Sequence, residues 1–313
     1  MTPYIYEITQ LKSPHFPWQV IAYLFANGIA SGTYIIAALL QAYGGKMVQK
    51  GLHKAYYITF CFLPFCGAFL IGKLEVKSRF INVLWNSRDG VLMLNANSPM
   101  SWGAWVLTVF SVIGTLSVIY AITEDGLIRW KWFQKLGGWV CRLYEGNVGS
   151  KIYLTVTSAL AAWFGSYLGV LVTTSNVPTW NTTPFIPMLW IVSAVLLGAT
   201  CMMLALSFSK GEGYGPLIQG LNRIAVSALI INVAAIIVFV ISLGEWFRTI
   251  NSGHFGWLLW GVAVLLGLLL PLAIKLIPRL SGSKSSLIIS SLLILLGSLA
   301  LRYVVIMGPQ SFW

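Results

Sequence analysis

The residue that most invites a chemical reading is Arg302, the one ionisable group lying well within a long uncharged run of the 313-residue chain. A guanidinium is costly in hydrocarbon, so it either faces a polar interior or snorkels to the nearer interface along its aliphatic stem. Counting from the helix ends at about 1.5 Å per residue puts Arg302 ~8 Å deep and Asn27, Tyr167 and Ser193 roughly 12 Å deep, all from one side. Tyr23, Asn27, Ser31 and Tyr34 recur at spacings of four and three, which draws one polar stripe along a helix and turns it toward other helices. Gly28, Ser31 and Gly32 offer a plainer account of the same stripe, since small residues let helix backbones approach. Packing alone leaves Arg302 unexplained. A cavity with Asn, Tyr, Ser and Arg donors and aromatic walls suits a flat, carbonyl-bearing lipid such as a quinone.

Other chemistries lack their residues. The histidines, His15, His53 and His254, stand at or beyond helix ends, so no pair faces across a bundle to ligate a buried haem. The carboxylates Glu7, Glu75, Asp89, Glu124, Asp125, Glu145, Glu212 and Glu245 belong to loops or helix boundaries, which leaves no mid-membrane relay of acids and no expectation of proton pumping. Cys61, Cys66, Cys141 and Cys201 show no Cys-x-x-Cys spacing and read as reduced small hydrophobes, so neither an iron–sulfur cluster nor a zinc site is expected in this protein.

The elements that must position these residues are membrane helices. With 58% hydrophobic and 9% charged residues, the protein cannot clothe a water-facing surface, for which ordinary domains use roughly 25% charged side chains. Uncharged runs long enough to cross a bilayer core of about 30 Å fall near 19–42, 55–72, 101–123, 152–175, 185–208, 224–244, 255–274 and 285–307. The reading is an all-α polytopic membrane protein of about eight transmembrane helices, one domain over 1–313, with no internal repeat. The cluster from Asn176 through Pro178 and Asn181 to Pro184 separates the fourth helix from the fifth. No basic leader or cleavage site precedes the first run, which is expected to persist as a helix.

Thirteen basic residues lie on the side opposite the termini and six on the terminal side. The positive-inside bias therefore puts both termini outside the cytoplasm, in a multi-pass protein of a bacterial inner membrane. The same bias explains the net charge of +12 without any nucleic-acid partner. Of the two long connections, 73–100 and 124–151, the second interleaves bases with aromatics from Arg129, Trp130, Lys131 and Trp132 through Lys135 to Trp139 and Arg142. That pattern predicts an interfacial helix on anionic lipid.

Several segments, in order, resemble the NrfD/PsrC family, the membrane subunits of nitrite, polysulfide and related respiratory reductases. The run from Trp18 through Tyr23, Phe25, Asn27 and Gly28 to Ser31 and Gly32 is similar to that family's first helix, and Ser98-Pro99-Met100-Ser101-Trp102-Gly103-Ala104-Trp105 to the start of its third. Tyr167-Leu168-Gly169, then Trp180-Asn181-Thr182-Thr183-Pro184 with Pro187 and Ser193, resembles its Tyr-Thr-Gly helix and the Asn-x-Pro segment that follows. Leu301-Arg302-Tyr303 with Gln310 matches its last helix and tail. Where the family commonly carries Asp-Leu-Gly-Arg-Pro and then Arg-Phe after the second helix, only Leu74, Arg79 and Phe80 are kept here. Where relatives can carry glutamates in the sixth helix, Ala225 and Asn232 stand instead.

The resemblance implies a membrane anchor that binds a quinol near the outer face, with menaquinone favoured and no haem or metal of its own. Such an anchor exchanges electrons with a ferredoxin-like iron–sulfur subunit and, through it, a molybdopterin or multihaem catalytic subunit. Asn27 and Tyr167 become the carbonyl partners, with Ser193, Tyr23 and Ser31 around them and Arg302 opposing developing negative charge. Lys73, Glu75 and Arg79 then line a proton exit or meet the partner subunit. The rival readings are a secondary transporter or permease, for which glycine-rich helices and Pro64 and Pro271 could build a gated cavity, and a purely structural anchor.

Overall fold

The computed structural model describes residues 16–45, 51–72, 81–86, 91–92, 94–95, 98–145, 148–209, 214–277 and 283–311. Eight helices are long and apolar enough to cross a membrane. They are α1 (Trp18–Tyr43), α2 (His53–Gly72), α3 (Pro99–Glu124), α5 (Val148–Thr173), α6 (Ile186–Ser207), α7 (Gly215–Leu243), α8 (Gly253–Leu276) and α9 (Lys284–Gln310), with a shorter helix α4 (Lys131–Tyr144) between α3 and α5. The 73–100 connection carries, among its described residues, one antiparallel strand pair, with Trp85 opposite Leu92 and Asn86 opposite Val91.

Helix starts and stops follow local chemistry. Ser98 caps α3 by accepting from the Ser101 amide with Pro99 in the first turn, and Ser283 caps α9 by accepting from the Ser286 amide. α7 begins nine residues before the expected 224. Arg223 ends the uncharged run without ending the helix, because a charge at a membrane boundary can reach water. In α8, Leu258–Leu269 is wound as a π-helix and closes with the Leu270 amide on the Leu265 carbonyl, just ahead of Pro271. No apolar periodicity announces that register.

α4 is the expected amphipathic helix. Phe133, Gly137, Val140 and Tyr144 are buried, while Trp132, Leu136 and Trp139 are exposed. The start of α1 and the end of α9 meet, since Gln310 accepts from the Phe16 amide (2.7 Å) and donates to the Phe16 carbonyl (3.2 Å).

α1 is the hub. It packs on α2, α5, α6 and α9, and 89% of its most apolar window is buried, against 28% for α2 and for α8. Its crossing with α6 is backbone on backbone: a Cβ on Gly32 would stand 1.8 Å from the Ala194 carbonyl oxygen, and one on Gly198 2.2 Å from the Gly32 carbonyl carbon. Without a hydrophobic drive between helices in lipid, this closeness is where dispersion and Cα–H contacts accumulate.

Gly32→Val is therefore expected to prise α1 from α6, at a cost of about 3 kcal/mol or more. Gly138 on the exposed side of α4 has open space beyond its Cα, so Gly138→Ala should be neutral or stabilise by up to about 1 kcal/mol. Thermal stability in detergent, followed by size-exclusion chromatography, checks both. Equal effects would refute the hub assignment.

Candidate functional site

Around α1 the candidate residues divide into two sets on neighbouring faces, about 100° apart. Leu24, Gly28 and Gly32 turn toward α6 and α9; Tyr23, Asn27 and Ser31 turn toward α5.

On the first face, Arg302 is 1% exposed. Its guanidinium points inward and does not snorkel. Nη1 donates to Ser193 Oγ (3.0 Å), Ser298 Oγ (2.7 Å) and the Ser298 carbonyl (3.0 Å), and Nε donates to the Leu24 carbonyl (3.2 Å). The Ser193 and Ser298 hydroxyls lie 2.9 Å apart, and the guanidinium carbon sits 5.3 Å above the Trp190 ring. Three helices thus converge on one cation. No carboxylate among the described residues forms an ion pair with it, and none of them accepts from Nη2. Trp190 Nε1, also buried, finds no acceptor either. A buried ion stripped of water costs several kcal/mol unless fixed dipoles replace the water, and here neutral oxygens do that work. Gly28 makes the room, since a Cβ there would stand 2.7 Å from Nη2.

On the second face, Asn27 Nδ2 donates to the Phe164 carbonyl (2.9 Å) and to the Tyr23 hydroxyl (3.4 Å), and Ser31 Oγ donates to the Asn27 carbonyl (2.7 Å). All three side chains are buried. Tyr167 lies flat on the α3 backbone, so close that a Cβ on Gly103 would be 1.8 Å from its Cζ. Its hydroxyl is near enough to Tyr23 for the two to interact electrostatically. At 5% exposure the ring is buried, yet no described residue hydrogen-bonds its hydroxyl. A hydroxyl left open in this way can meet a ligand or water.

The structure thus joins Arg302 with Ser193, and Tyr23 with Asn27 and Ser31, with Tyr167 beside the latter. Among the described residues no hydrogen bond links the two sets. Lys73, Glu75 and Arg79 lie outside the described residues.

Two features escape a reading of the sequence. Ser298 stands one helical turn before Arg302, a spacing that could flag it; the Leu24 carbonyl is main chain and carries no sequence signal. Toward the other end of the bundle, Tyr34, Tyr56, Tyr120, Tyr144 and Tyr153 pack edge to face or stacked. Ser117 and Tyr144 share a 2.8 Å bond, Tyr34 donates to Thr157 (3.0 Å), and Gln41 links Tyr56 (2.5 Å) to Tyr120 (3.0 Å). Burial pushes the Tyr144 phenol well above its ordinary range. At the same end, Glu124, Cys141 and Glu145 place ligand-type atoms within 4.8 Å of one another. Burial, and then Glu145, push the Cys141 thiol up to about 11, so at neutral pH it stays protonated and is a poor ligand or nucleophile.

Known proteins resemble this sequence over nearly its full length. The family model described as "Polysulphide reductase, NrfD" matches residues 9–313. Protein NrfD of Escherichia coli (strain K12) is 21% identical, over 97% of this sequence and 99% of its own length. A polysulfide reductase subunit of Wolinella succinogenes is 25% identical, over 98% of both sequences. A model that matches almost the whole length, over eight membrane helices in the expected order, is decisive: the protein is a member of the NrfD family of polysulphide-reductase membrane proteins.

Proposed function

We propose that the protein is the quinol-binding membrane anchor of a respiratory oxidoreductase of a bacterial inner membrane. Both termini face outward, and the site opens near that face. The observation that carries the reading is the Tyr167 hydroxyl, which no described residue hydrogen-bonds, on a buried ring beside the Tyr23–Asn27–Ser31 cluster. A bound quinol supplies two electrons and two protons. A ferredoxin-like iron–sulfur subunit takes up the electrons, and a molybdopterin or multihaem subunit completes the reaction. The Wolinella relative supports such partners, since its name makes it one of several polypeptides of polysulfide reductase. Menaquinone is the favoured quinone.

The residues divide the work. Tyr167 and Asn27 hold the two ring oxygens through a hydroxyl and an amide, groups that can both donate and accept. Tyr23 and Ser31 fix the Asn27 amide in place. Arg302 acts from the neighbouring face of α1: at about 10 Å, the thickness of a helix, a unit charge contributes about 1.7 kcal/mol at an effective dielectric constant of ~20. It opposes negative charge at a ring oxygen and is a positioning residue, not a contact. Lys73, Glu75 and Arg79 follow α2 on the terminal side and are proposed to line the proton exit or to meet the partner subunit.

Tyr167→Phe should lower quinol-dependent electron transfer about ten- to hundredfold, the value of one hydrogen bond to a charged group, while the subunits still co-purify. Unchanged turnover removes Tyr167 from the site. Arg302→Gln should cost about tenfold in kcat, and Arg302→Lys, which keeps the charge but not the fork that grips Leu24, should lose less; equal loss in both variants would assign Arg302 to holding the α1 turn and not to its charge. Mass spectrometry of lipids extracted from the mildly solubilised protein provides the first check. Quinone with an iron–sulfur partner supports the anchor; a lone polypeptide that moves solute into vesicles makes it a transporter.

A further inference from the structure

Away from both sets, a groove of about 370 Å³ runs between α6 and α7 on the outside of the bundle, lined by Val192, Val195, Ile224 and Ile231 with Arg223 and Ser227 among the other residues. Arg223 and Glu245 bracket 21 uncharged residues, 224–244, all but the last of them in α7. At 1.5 Å each these span about 30 Å, the thickness of the hydrocarbon core. Arg223 therefore stands at the level where the core meets the headgroups, and the apolar part of the groove runs from it toward the bilayer centre.

The polar groups at the mouth have no partner among the described residues. Three cations elsewhere at this end of the bundle do: Lys275 donates to Asn222 (2.8 Å), Lys54 lies over the Tyr214 ring (4.4 Å) and Lys284 over Phe208 (5.5 Å). Arg223 is exposed and makes no ion pair or hydrogen bond with a described residue. Ser227, one turn further and on the same face, is exposed too. Some serines in these helices, Ser117 and Ser290 among them, bond back to a carbonyl three or four residues earlier; the Ser227 hydroxyl bonds to no described residue. A cation and a free hydroxyl at headgroup level, above an apolar groove pointing to the bilayer centre, complement a phosphodiester above an acyl tail.

We propose that the α6–α7 groove is a binding site for an anionic phospholipid, its phosphate held by Arg223 and Ser227 and one acyl tail lying between Val192 and Ile231. The site stands apart from the quinol reading, and neither depends on the other.

The test uses the protein with whatever subunits accompany it, in mild detergent, equilibrated with equal amounts of phosphatidylglycerol and phosphatidylcholine of matched acyl tails, and read by native mass spectrometry. The wild type should retain phosphatidylglycerol preferentially. Arg223→Gln should lower that preference about fivefold, the worth of one basic residue near an anionic headgroup. Ile231→Trp, which keeps the cation and fills the groove, should lower total retained lipid. No preference in the wild type, or the same preference in Arg223→Gln, overturns the proposal. So does a photo-cross-linker at Ile231 that captures a companion subunit's helix instead of lipid.

Discussion

One buried cation dictates much of this molecule's architecture. Arg302 cannot reach water, and no acid among the described residues neutralises it, so its guanidinium must be surrounded by fixed neutral oxygens. Those come from three helices: Leu24 on α1, Ser193 on α6 and Ser298 on α9 itself. To bring three backbones within reach of one planar group, the helices must pack more closely than Leu or Ile would allow. Gly28, Gly32 and Gly198 are the concession. Site and packing are thus one constraint seen from two sides, and the glycine stripe and the ligand stripe of α1 are not competing accounts of the same residues.

The same logic separates the two ends of the polar stripe on the other face of α1. Asn27 bonds the Phe164 carbonyl, Phe164 packs tilted against Phe110 at 5.0 Å, and Phe110 meets Tyr34 edge-on at 5.3 Å. Two aromatic rings therefore stand between the Tyr23–Asn27–Ser31 cluster and the tyrosine network beyond. A regular four-and-three spacing continues through Tyr34, but the hydrogen bonds do not. Even as one stripe in sequence, the polar residues make two compartments in space, and the Tyr23–Asn27–Ser31 one is the nearer to the start of α1.

How much of this is legible in the sequence depends on the kind of interaction. Membrane helices are legible because a bilayer imposes a length and forbids charges, and both are visible in a string of residues. Arg302 is legible for the same reason, as an exception to the rule. Its depth follows from counting, and its inward orientation does not, because snorkelling and burial place the same residue at the same position. The α7 start lies nine residues from its expected place since charge marks the membrane boundary, not the helix boundary. The π-wound stretch of α8 is set by main-chain register ahead of Pro271, within a uniformly apolar run that offers no period to read. The division of the candidate residues between two faces of α1 is within reach. At 100° per residue, Leu24 and Gly28 point well away from Tyr23 and Asn27, and only the assumption of a single cavity hides it.

That division bears on what a lone arginine can do at a distance. If Arg302 touched a bound ring directly, its guanidinium would need free donors on the same side as Asn27; instead three of its bonds lock it to α6 and α9, and a fourth ties it to the α1 carbonyl at Leu24. A locked cation is a fixed field. Its value lies in needing no reorganisation when charge shifts nearby, the property that makes preorganised dipoles effective in dry sites. The carbonyl it grips belongs to the residue next to Tyr23 and three before Asn27, so any change that frees Arg302 also frees the turn of α1 that aims those side chains. Field and aim are coupled through one hydrogen bond, and a substitution that keeps the charge but loses the planar fork separates them, because the field then persists while the grip on Leu24 is lost.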